Sequence, residues 1–114
     1  MKLLKFALVG AAVAAAGAAV AQERDRDAEA NSAFTTYPRD SLANGEQGTV
    51  RYKVKIDRRG RARECEVTVS SGFERLDLAT CEMLMERARF TPNRDGGGKA
   101  RGSVYEGRVV WRLS

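Results

Sequence analysis

The sequence predicts a small α+β domain: a three-stranded antiparallel sheet in the order 2-1-3, packed against one or two helices and carrying one disulfide. Three observations predict it. Apolar residues alternate from Val50 to Ile56 and again from Tyr105 to Leu113, the period of half-buried strands. Between these stretches, Leu78, Cys81, Leu84, Met85 and Ala88 recur at helical spacing and form one apolar stripe. The only two cysteines, Cys65 and Cys81, fall one in a strand pattern and one on that stripe.

The first 21 residues read as a secretory signal peptide. Lys2 and Lys5 form a basic start, Phe6 to Val20 an uncharged run, and Ala19-Val20-Ala21 a small-x-small cleavage site before Gln22. The alternative is a retained inner-membrane anchor. A membrane-spanning helix needs about 20 mostly apolar residues, and this run is shorter and mostly alanine. Residues 22–36, QERDRDAEANSAFTT, are charged and lack apolar periodicity, so a flexible leader is expected there, with the folded domain over 37–114.

In YPRDSLANG, from Tyr37, Pro38 suits a first helical turn, Asp40 favours its positive end, and Asn44 or Gly45 stops it. The first strand follows from Gly48: Val50, Tyr52, Val54 and Ile56 face inward while Arg51, Lys53, Lys55 and Asp57 face out. DRRG at 57–60 supplies a turn. A second strand then puts Cys65, Val67 and Val69 on one face and Glu64, Glu66 and Thr68 on the other. A basic strand thus lies beside an acidic one, and cross-strand ion pairs of this kind add roughly 0.2–1 kcal/mol each. Past Ser70-Ser71-Gly72, the helix is expected to start near Asp77 as cap and to end before Pro92. DGGGKARG at 95–102 reads as a mobile connector rather than a phosphate cradle, because no helix begins behind it. In the last strand Tyr105, Val109, Trp111 and Leu113 face inward, and Glu106, Arg108, Val110 and Arg112 face out. This strand returns antiparallel to the first, and a short right-handed crossover sets it beside the first strand as an edge.

Cys65 and Cys81 point into the same core. In an oxidising compartment the expectation is a structural disulfide around residues 66–80, worth about 3 kcal/mol in chain entropy. Two buried free thiols are the alternative. The spacing is not the C-x-x-C of redox pairs, and a chain without histidine offers no familiar zinc set.

The ordered part resembles the C-terminal domain of TonB, the energy transducer of Gram-negative outer-membrane transport. The resemblance rests on YP at 37–38, GTVRYKVKID, DRRG, VTVSSG, LDLA, RARFTP and the closing VYEGRVVWRL, in that order. It implies two helices on a three-stranded antiparallel sheet. It also implies a domain that binds a short peptide, the TonB box at the periplasmic end of a receptor, by adding it as a strand to the sheet edge. By position that edge is Ser103 to Leu113, with Ser103, Val104, Glu106, Arg108, Val110 and Arg112 as the candidate partner-binding residues. A full transducer carries an uncleaved membrane helix and a long proline-rich spacer. This chain is expected to lack both, since residues 22–36 contain no proline and reach roughly 50 Å when fully extended.

The functional expectation is a periplasmic TonB-family protein, linked to transmembrane transport, that captures an extended peptide of an outer-membrane transporter or another envelope protein. The alternative is a small structural envelope protein that self-associates through its edge strand. Catalysis is not expected: no nucleophile stands beside a base, and Asp77, Glu82 and Glu86 read as helix-start and surface carboxylates. Tyr105 and Trp111 read as core rather than a ligand platform. No cofactor, metal or small-molecule substrate is expected. The net charge of +5 does not point to nucleic acid, because acidic and basic residues alternate along the chain.

Overall fold

The computed structural model describes residues 26–113; the signal-peptide expectation for 1–21 lies outside them. Helix α1 covers 26–31, α2 Arg39–Ala43 and α3 Glu74–Arg87. The strands are β1 Gly48–Ile56, β2 Ala62–Val69, β3 Asn93–Arg94, β4 Ala100–Arg101 and β5 Ser103–Trp111. Strands β2, β1 and β5 form one sheet in that order with β1 antiparallel to both neighbours, as the sequence predicts, and β3 and β4 form a separate small hairpin.

Alternation places Val50, Tyr52, Val54 and Ile56 of β1 in the core, together with Tyr105, Val109 and Trp111 of β5. The β1–β5 ladder runs unbroken from Gly48↔Trp111 to Ile56↔Ser103. The β1–β2 ladder is interrupted twice, between Arg51 and Tyr52 and between Lys55 and Ile56. The first interruption corrects the expected inner face of β2. Tyr52 pairs with Val67 but Arg51 pairs with Val69, so one extra residue turns Val69 out to 53% exposure, while Cys65 and Val67 stay half-buried. Of the expected ion pairs between these strands, Lys55 Nζ to Glu64 Oε2 forms at 3.0 Å, between exposed side chains.

Helix α3 covers the inner face of the sheet through a stripe that differs from the expected one. Leu76, Thr80, Leu84 and Ala88 are buried at spacings of four, whereas Leu78 and Met85 are 57% and 40% exposed. Thr80 completes this stripe because its hydroxyl is satisfied internally: Oγ1 donates to Leu76 O at 2.7 Å and accepts from Trp111 Nε1 at 2.9 Å. Asp77 is not the cap. Phe73 occupies that position with no side-chain bond, and Asp77 reaches back from the first turn to accept from the Ser70 hydroxyl and from Ser71 N and Oγ. Burial alone would raise the Asp77 pKa, but these serine hydrogen bonds outweigh it and leave it below the usual value.

The disulfide joins Cys65 of β2 to Cys81 of α3 across a Cα–Cα distance of 5.6 Å. A second tie fastens the far end of α3. In the β1–β2 turn, Asp57 Oδ1 accepts from Arg59 N and Arg61 N, its Oδ2 accepts from Arg63, and its pKa falls to about 2, chiefly through the Arg61 amide. Gly60 follows with φ +86°, and its carbonyl accepts from Phe90 N at 2.7 Å. A Cβ on Gly60 would lie 1.9 Å from the Phe90 carbonyl oxygen, so only glycine permits this approach.

Two further expectations are corrected. Within the expected flexible leader, residues 26–31 are helical, Ala30 and Ala33 are fully buried, and Phe34 packs against the core. The glycine-rich connector is an ordered hairpin, because Asp95 Oδ1 accepts from Gly97 N and Lys99 N while Oδ2 accepts from Arg101.

Reducing Cys65–Cys81 should lower unfolding stability by about 3 kcal/mol, read as a drop in the urea midpoint; an unchanged midpoint would deny the clip a role. Gly60→Ala should cost roughly 2 kcal/mol or more in the same assay, whereas the control Gly96→Ala, whose Cβ meets nothing within 4 Å, should change little.

Candidate functional site

The two edges of the sheet are not equivalent. On β2 the ladder is bulged, Arg63, Glu64 and Glu66 are exposed charges, and the disulfide holds the strand against α3. Bulges and charges are the usual means of blunting an edge. On β5, nine residues run without a register shift, and among the described residues no backbone hydrogen bond leaves its outer side. An edge of this kind presents unpaired N–H and C=O groups at alternate residues.

The predicted partner-binding residues lie along this strand. Val104, Glu106, Arg108 and Val110 are exposed on the open sheet face, Ser103 is half-buried at the strand's start, and Arg112 follows its last residue. The face they share carries a cross-strand charge pattern: Lys53 lies opposite Glu106, whereas Arg51 lies opposite Arg108.

Sequence reasoning missed the wall behind the edge, which the residues around α1 supply. The Tyr105 hydroxyl donates to Asp27 Oδ1, Thr91 N donates to Glu29, and Arg87 donates to Thr35 Oγ1 at 3.2 Å. The Phe34 ring stands edge-on to Tyr52 at 6.1 Å and to Trp111 at 5.8 Å, and Tyr37 meets Trp111 at 5.3 Å. Two adjoining grooves of about 520 and 610 Å³ run along β5 and share Asn31 and Arg108, the first bounded by this wall and the second reaching Arg51 and Tyr52 of β1 and Thr68 of β2. Phe34, Tyr37 and Trp111 line the first, and Asp27, Tyr105 and Gly107 the second. The available signal was the spacing of Ala30, Ala33 and Phe34, one buried side of a short helix ending in an aromatic anchor.

Gly107 lets the two phenols close against β5. A Cβ there would lie 2.7 Å from the Tyr52 hydroxyl and 2.8 Å from that of Tyr105. Burial pushes the Tyr52 pKa up to about 12, with the Tyr105 hydroxyl opposing and Asp27 adding to the rise. Tyr105 is raised as well, first by burial and then by its bond to Asp27. Both phenols therefore stay neutral at any physiological pH, and of the two only the Tyr105 hydroxyl has an acceptor among the described residues. Among the described residues no group of three His, Cys, Asp or Glu side chains gathers as a metal site, and no helix is long and apolar enough to cross a membrane.

These features define a small α+β domain with one blunted and one open sheet edge. The family model for the Gram-negative bacterial TonB protein C-terminal matches residues 34–113, and the chain belongs to that family. Among solved structures it is similar to the Pseudomonas aeruginosa TonB C-terminal domain, with 27% identity and a TM-score of 0.57 over 68% of this chain and 77% of that one. It also shares its fold with the Helicobacter pylori TonB C-terminal domain, at 15% identity and a TM-score of 0.58 over 80% and 79% of the two chains. No curated protein matches the chain.

Thr80→Val should leave the Trp111 N–H without its acceptor and cost about 1–3 kcal/mol, whereas Thr80→Ser should retain most of the stability. Equal urea midpoints for the two variants would show that the Thr80–Trp111 bond does not hold β5 to α3.

Proposed function

We propose that the chain works in the periplasm, after removal of residues 1–21, as a TonB-family binding module. It takes up an extended segment of an outer-membrane transporter, or of another envelope protein, as an added strand at the outer edge of β5. The observation that carries this reading is the unbroken nine-residue ladder on one side of β5, together with the open backbone on the other. Main-chain bonds to that edge supply affinity, and the side chains at alternate positions tune it. Ser103, Val104, Glu106, Arg108, Val110 and Arg112 are the residues beside the added strand. Family membership supports the link to outer-membrane transport, and the reading makes the chain a binding protein rather than an enzyme.

A second reading, self-pairing of β5 between two copies, draws on the exposure of Val104 and Val110 along the edge. An NMR titration with TonB-box-like peptides separates the two. Strand addition predicts saturable amide shifts concentrated at 103–112. Absence of such shifts, with broadening of the same amides as protein concentration rises, would contradict it in favour of self-pairing.

A further inference from the structure

We propose that the edge of β5 selects a peptide alternating apolar and acidic side chains. The apolar residues enter the aromatic groove behind the edge, and the acidic ones face Arg108 and Arg112 on the open face of the sheet. This rests on the strand-addition reading and specifies the partner that reading leaves open.

A strand added beside β5 divides its side chains between two faces with period two. On the inner side they meet the groove of about 520 Å³ that Phe34, Tyr37 and Trp111 line. Phe34, Tyr37 and Trp111 favour apolar side chains there, and Arg108 and Arg112, which also line the groove, disfavour an ammonium group. On the outer side they meet an excess of positive charge. Arg51 and Arg108 are directly opposite each other, an arrangement that is destabilising in an isolated sheet. Arg112 follows on the same face four residues along, and none of the three forms an ion pair among the described residues. The neighbouring Lys53 is different, because Glu66 and Glu106 stand opposite it on either side. The uncompensated charge therefore concentrates where an added strand would run, and a carboxylate on that strand would stand beside Arg108 at cross-strand distance, about 5 Å between Cβ atoms. A guanidinium also suits a carboxylate through paired N–H donors.

The test uses the full secreted chain, isotope-labelled, with three capped heptapeptides in which valine alternates with aspartate, serine or lysine. The aspartate peptide should shift amides at 103–112 and bind roughly five- to tenfold more tightly than the serine peptide. The lysine peptide should bind most weakly, and the differences should shrink at high salt. Arg108→Glu should reverse the order of the aspartate and lysine peptides, and the milder Arg108→Ser should flatten it. Phe34→Leu should weaken all three peptides that bind without changing their order. Equal affinity of all three peptides at β5 would overturn the charge selection while leaving strand addition standing. Absence of any shift at 103–112 would overturn both.

Discussion

Everything else in this domain is positioned by the inner face of β1. Val50, Tyr52, Val54 and Ile56 are all buried, and β1 alone has strand partners on both sides. Helix α3 has that face to cover, Phe34 packs against both parts of the core built on it, and β5 takes its register from it. Because β1 occupies the centre, the sheet ends in two edges, and the binding question reduces to how those edges differ. β2 is bulged, charged and clipped to the helix, whereas β5 is straight and open.

A sheet with one covered face and so few residues needs its helix held firmly. Three unlike ties do this, two at adjacent residues in the middle of α3 and one just past its end. The disulfide fastens it to β2, the Thr80–Trp111 hydrogen bond fastens it to β5, and the Gly60–Phe90 bond fastens its exit to the β1–β2 turn. The last tie gives a physical reason for two pieces of the motif pattern, DRRG and RARFTP. Asp57 organises the turn, Gly60 allows the close approach, and the segment around Phe90 is what approaches.

Strands were legible because alternation survives reading without any knowledge of partners, and β1 and β5 follow it residue for residue. The helix was legible in place but not in rotation. Leu78 and Met85 stand on the expected stripe because they are apolar, and Thr80 does not; the acceptor at Leu76 and the donor at Trp111 are what let its hydroxyl enter the core. Val69 was misplaced because a bulge leaves no mark in composition. The outer face of β5 could be read as an edge from topology alone, whereas its rear wall left only the spacing of Ala30, Ala33 and Phe34 as a signal. QERDRD marks residues 22–36 as solvated, and only tertiary contacts with Trp111 and Tyr105 make the stretch from Asp27 to Tyr37 part of a groove. The opposition of Arg51 and Arg108 likewise depends on register, which periodicity does not fix.

The most direct test of the account is amide hydrogen exchange along β5 and β2, with and without a saturating extended peptide. In the free protein, alternate amides of β5 should exchange quickly because they point away from β1. On binding, those same amides should become protected while β2 is unchanged. Protection that develops on β2, or binding that leaves the fast amides of β5 fast, would contradict the claim that β5 is the edge that accepts a strand.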